Sequence, residues 1–152
     1  MSDSHKKRFE EVRVRVFDHF AFKRGASAFL PGLGIVIGKS EVNDIDLLRH
    51  EYGHYLQLKA LGWIAFWRYV ALTSFFSYRR SWKKGASCFD HYKTWTEWSA
   101  NRLSWEHFGR PADWNMLCFP ISAPNTHAEY ILPAKLKDSF DKIVSDYGAI
   151  TV

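Results

Sequence analysis

Two imidazoles and a carboxylate fall within five residues at His50-Glu51-Tyr52-Gly53-His54. In a helix, positions i and i+4 lie on one face, so His50 and His54 can be aimed at one point; in a strand they cannot. The flanks agree with a helix. Ser40, Asn43 and Asp44 offer N-caps, Gly62 offers a stop, and Leu47, His50, His54, Leu58 and Leu61 form one stripe. The spacing predicts a helix from about Ile45 to Leu61, with both histidines facing inward among apolar neighbours. Gly53 lies in its middle, where it costs roughly 1 kcal/mol relative to Ala. Close packing against another element, or room beside a metal ion, would explain it.

A helical His-Glu-x-x-His pattern suits zinc. The two imidazoles ligate, and Glu51, one step round, reaches a metal-bound water rather than the metal. Seven His and seven Glu in 152 residues give the bare motif by chance in about 1.4% of shuffled chains, so the setting must carry part of the argument. The competing reading is a pair of hydrogen-bonded core histidines. Zinc also needs a third protein ligand. The variant with a third His six residues after His54 is excluded, because that position is Ala60. Thr94-Trp95-Thr96-Glu97-Trp98-Ser99-Ala100-Asn101 offers Glu97 as ligand. Asn101, on the same helix face, is placed to accept a hydrogen bond from a ligating imidazole. His91 is the other candidate, and the plain alternative for Glu97 is a solvated helix carboxylate.

The string H-E-Y-G-H, with T-E-W-S-A-N following and Glu97 43 positions after His54, resembles the zincin metallopeptidases of the thermolysin-like (gluzincin) group. It also resembles small bacterial proteins that carry both motifs. In the gluzincins an acid follows the second-motif Glu by four residues; here that place is held by Asn101. The resemblance covers about 44–101. It implies zinc on His50, His54 and Glu97, Glu51 as general base, and a peptide or protein substrate. It also implies an extended peptide docked along the strand Ile35 to Ile37, and a Tyr or His stabilising the oxyanion, for which Tyr92 and His127 are the candidates.

The rest of the chain sets the frame. Val12, Val14 and Val16 alternate with charged residues, as in a half-buried strand, and Ile35-Val36-Ile37 reads as a second. Gly25, Pro31, Gly32 and Gly34 mark a loop between them. Helices are expected over about 92–108 and 136–147. The expected fold is α+β and mostly helical: one zincin-like domain over 1–152, with a small N-terminal antiparallel sheet packed on the motif helix.

Cys88 and Cys118 form no C-x-x-C pair, which removes thiolate zinc knuckles and redox motifs. The first eleven residues are polar and charged, so no secretory signal is expected and the expected setting is cytoplasmic. Trp63 to Tyr78 is apolar and aromatic apart from Arg68, and Arg79, Arg80, Lys83 and Lys84 follow. Sixteen residues are short for a membrane span. The segment reads as a partly buried helical hairpin or as an element of Trp63–Lys84 lying peripherally on an anionic membrane surface. The net charge of +5 belongs to no recognisable nucleic-acid motif, so a nucleic-acid partner is not expected. The expected function is a zinc-dependent hydrolase, a small metallopeptidase. The alternative is a non-catalytic zinc-binding or membrane-associated interaction module on a zincin-like scaffold.

Overall fold

The computed structural model describes residues 7–19, 22, 25–83, 91 and 94–122. Its architecture is α+β. Four strands, β1 (Arg8–Phe9), β2 (Val12–Phe17), β3 (Ser27–Leu30) and β4 (Gly34–Gly38), form one sheet in the order β1-β2-β4-β3. The alternation in β2 does what its pattern predicts at its start: Val12 and Val14 are buried while Arg13 is exposed. β4 is covered on both sides, with Ile35, Val36 and Ile37 all buried, as expected of a central strand.

The sheet departs from the sequence expectation in two ways. It is mixed rather than antiparallel, because β2 and β4 run parallel, with Val14 opposite Ile35 and Val16 opposite Ile37. The stretch read as a loop between them contains β3, which pairs antiparallel to β4 through a turn at Pro31-Gly32-Leu33. Because β3 takes the far edge of β4, the chain must pass β4 and return, and β2 is left parallel to it. Ser27-Ala28-Phe29-Leu30 shows no alternation and buries only Phe29; its strand state comes from its partner, not its own pattern.

Helix α1 (Ile45–Leu61) has the predicted bounds. Asp44 caps it by accepting from the amides of Asp46 and Leu47, both at 3.0 Å, and Gly62 at φ 82° ends it. A helical run follows: α2 (Trp63–Ala65), a widened π-helical stretch (Phe66–Ala71) and α3 (Leu72–Lys83). The apolar segment is therefore a continued helix, not a hairpin. It sends Phe66 and Val70 into the core beside Phe29, Leu47, Leu48 and Tyr52. Among the described residues no helix is long and apolar enough to cross a membrane.

Helix α4 (Trp95–His107) lies along α1. The two helices touch backbone to backbone at Gly53, where a Cβ would collide with the Ala100 carbonyl. This close approach accounts for the glycine. The first turns of α4 bury Thr96, Glu97, Ser99 and Asn101, an unusual density of polar groups. Each has a partner, described next. The helix expected over 136–147 lies outside the described residues, as does Cys88.

Candidate metal centre

His50, Glu51 and His54 are all buried, and their ligand atoms lie within 4.8 Å of one another. This group could hold a metal ion. Helix periodicity puts the two imidazoles side by side, with ring centroids 4.9 Å apart. The Gly53–Ala100 contact then brings α4 close enough for Glu97 to reach them. Glu97 Oε2 lies 3.2 Å from His50 Nε2 and 3.3 Å from His54 Nε2. His91 also arrives here, with Nε2 3.5 Å from the same oxygen. The structure thus brings together every ligand candidate read from the sequence, and Glu51 beside them. Tyr92 and His127, considered for the oxyanion, lie outside the described residues.

The outer nitrogens fix how the rings present themselves. Asn101 Nδ2 donates to the Pro120 carbonyl at 2.9 Å, which turns Asn101 Oδ1 toward His50 to accept from Nδ1 at 2.7 Å. Gln57 Nε2 donates to Thr96 O at 2.8 Å and Ser99 Oγ at 2.7 Å, so its Oε1 accepts from His54 Nδ1 at 2.8 Å. In each ring Nδ1–H is therefore committed to a side-chain amide and Nε2 faces Glu97, where it can ligate a metal once it carries no proton. This is how metal-ligating histidines are oriented. Ser77 Oγ lies 3.1 Å from His91 Nδ1. The second oxygen of Glu97 accepts from Ser74 at 2.5 Å and from Thr96 at 3.2 Å.

Two inward lone pairs and a carboxylate oxygen in a buried space repel one another unless a cation lies among them. That cation is a proton or a metal ion. The acid–base balance of the metal-free cluster reflects this. Burial opposes charge on His54, but the Glu97 carboxylate, with help from Glu51 and the Gln57 hydrogen bond, outweighs it and raises the pKa to about 9. Burial would raise the Glu97 carboxyl; the His54 charge, hydrogen bonds from His50 and His54, and the His91 charge hold it well below its ordinary range. Burial lowers His91, with Glu97 opposing. The donor set, two imidazole nitrogens and one carboxylate oxygen, matches the chemistry of a zinc ligand set.

Glu51 has its own support. Its Oε1 accepts from Ser27 Oγ, on β3, at 2.5 Å. Sequence reasoning foresaw Asn101 as a partner for a ligating imidazole but gave no role to Gln57, Ser27, Ser74, Ser77 or Pro120. Gln57 had a readable signal, three residues after His54 on the same helix. The serines had none, because each arrives from a different element through tertiary packing. No protein-family model matches the chain, and neither a curated protein nor a solved structure shows significant similarity to it.

Proposed function

We propose that this chain is a zinc-dependent hydrolase, a small metallopeptidase. The observation that supports this best is the convergence of the His50 and His54 Nε2 atoms on Glu97 Oε2, at 3.2 and 3.3 Å, beside the buried Glu51 carboxylate. His50, His54 and Glu97 would hold the ion. Zinc bound there would supply Lewis acidity for the scissile carbonyl and acidify water.

The protein residues do the rest. Glu51, steadied by Ser27, takes the proton of the attacking water and passes it to the leaving amine nitrogen. Asn101 and Gln57 hold the ligating rings in one tautomer. β4 has sheet neighbours on both sides, so Ile35 to Ile37 is no docking edge. β3, which carries Ser27, is the edge strand nearest Glu51, and an extended peptide would add to it by backbone pairing.

A second reading has its own support: His91 Nε2 lies 3.5 Å from Glu97 Oε2. Four protein ligands would close the site and make the zinc structural. One experiment separates the two. A broad peptide library with mass-spectrometric readout is incubated with zinc-loaded wild type and with Glu51→Gln. Gln keeps the shape of Glu but cannot accept the proton, so cleavage should fall by about 10²–10⁴-fold with zinc content unchanged. A zinc-loaded wild type that cleaves nothing, with X-ray absorption showing His91 bound, would establish the closed, non-catalytic site.

A further inference from the structure

The helical run over α2, the π stretch and α3 has two unlike sides. Inward, Phe66 and Val70 enter the core, Ser74 donates to Glu97, and Ser77 lies against His91. Outward, Ile64 is 80% exposed, Trp63, Phe75 and Phe76 are each 56% exposed, and Trp67, Leu72 and Tyr78 are exposed beside them. The Pro31–Leu33 turn extends this surface from another element. A Cβ on Gly32 would stand 3.8 Å from Trp63 Cη2, and Leu33 at the turn is exposed. Scattered apolar residues are ordinary on a protein surface, but an apolar and aromatic stripe running the length of three consecutive helical segments calls for a partner.

Charge says which partner. The sequence over 60–89 contains no Asp or Glu, while Arg68, Arg79, Arg80, Lys83 and Lys84 all fall within it. Arg68, Arg79 and Arg80 are exposed on the same helical run. Aromatic rings flanked by cations, with no acid to repel a phosphate, match the boundary between lipid headgroups and acyl chains. A second copy of the chain fits less well, since a two-fold contact through this face would bring two basic segments without acids of their own together.

We propose that the outer face of Trp63–Arg80, with Leu33, is a docking surface for an anionic lipid bilayer. The helix lies in the plane of the interface, with Trp63, Ile64, Trp67, Phe75 and Phe76 inserted below the headgroups and Arg68, Arg79 and Arg80 among the phosphates. Because α3 also supplies Ser74 and Ser77 to the His/Glu cluster, the bilayer and the cluster lie on opposite sides of one helix. The proposal stands whether or not the cluster is catalytic.

The test is flotation of the full chain with phosphatidylcholine vesicles, with and without phosphatidylglycerol. Binding is expected only to the vesicles with phosphatidylglycerol, and raised salt should weaken it. Arg79→Gln with Arg80→Gln should weaken partitioning by about tenfold or more, and Phe75→Ser with Phe76→Ser by at least as much. Circular dichroism melting verifies that each variant folds; should the Phe pair fail to fold, the Arg pair decides. Brominated lipids should quench wild-type fluorescence more strongly than that of Trp63→Phe with Trp67→Phe. The proposal is overturned by no binding to anionic vesicles, by equal binding to neutral ones, or by Arg variants that bind like wild type. Sedimentation showing a dimer that the Phe substitutions dissociate would overturn it in favour of self-association.

Discussion

Asn101 Oδ1 accepts from His50 Nδ1 at 2.7 Å, and the other end of the same amide is committed to the Pro120 carbonyl. One residue on α4 therefore decides which nitrogen of a ring on α1 is free for a metal. Removing it leaves the tautomer of His50 unspecified. Asn101→Ala should weaken zinc affinity by about 10–100-fold while the protein still folds. Competition with a chromophoric chelator measures this, and an unchanged affinity would show that the hydrogen bond does not tune the ligand.

Glu97 and His91 are separable by titration. Glu97→Ala removes the oxygen on which the imidazoles converge, and its zinc affinity should collapse. His91→Ala should still bind one zinc per chain, since His50, His54 and Glu97 remain. His50→Ala or His54→Ala should abolish tight binding, because two protein ligands hold zinc poorly. Elemental analysis after dialysis gives the stoichiometry. Loss of zinc from His91→Ala, with retention by Glu97→Ala, would reverse the ligand assignment.

The metal-free protein should be sensitive to mildly alkaline pH. The His54 pKa rises from 6.5 to about 9 on folding, so its contribution is complete below pH 6.5 and is lost as pH climbs through 9. The contribution of Glu97, whose pKa is lowered, is fully present above its ordinary value of 4.5 and does not change across that window. Burial lowers His91, which costs stability only at pH values where the unfolded side chain is charged. Stability should therefore decline by about 3 kcal/mol between pH 6.5 and 9, at 1.36 kcal/mol per pKa unit. Zinc affinity should move the other way, rising about tenfold per pH unit as the competing proton is lost. Denaturant unfolding of metal-free protein across this range checks the first trend; a flat profile would mean that His54 carries no proton there.

Gly53→Ala sets two effects against each other. Ala is the better helix former by about 1 kcal/mol, but its methyl would strike the Ala100 carbonyl. The collision involves backbone rather than a side chain that could swing aside, so a net destabilisation of about 1–3 kcal/mol is expected. Thermal or urea unfolding measures it. A stabilised variant would show that α1 and α4 separate at little cost.

The parts of this molecule legible in its sequence are those specified locally. The bounds of α1 follow from the Asp44 cap, the 3.6-residue stripe and the Gly62 stop. The ends of α4 were read to within a few residues, and the i, i+4 pairing of Glu97 with Asn101 foretold the hydrogen bond to His50. What escaped was set by tertiary context. β3 has no pattern of its own and exists because β4 offers it backbone partners. The parallel pairing of β2 with β4 follows from that insertion. The serines at positions 27, 74 and 77 are ordinary residues in their local sequence and gain meaning only where β3 and α3 meet the histidines.

The contact of Gly53 with the Ala100 carbonyl also bears on how far apart the candidate ligands can stand. The distance between the helix carrying the imidazoles and the helix carrying the carboxylate is set by main chain against main chain, which no rotamer change can relax. Calcium, which takes six to eight oxygens, would meet one carboxylate oxygen between two imidazoles, whereas an ion that bonds nitrogen and oxygen at about 2.0–2.2 Å would meet a donor set of the kind it takes. The reach between the imidazoles and the carboxylate is thus set in part by a residue that contributes no side chain, one position before His54.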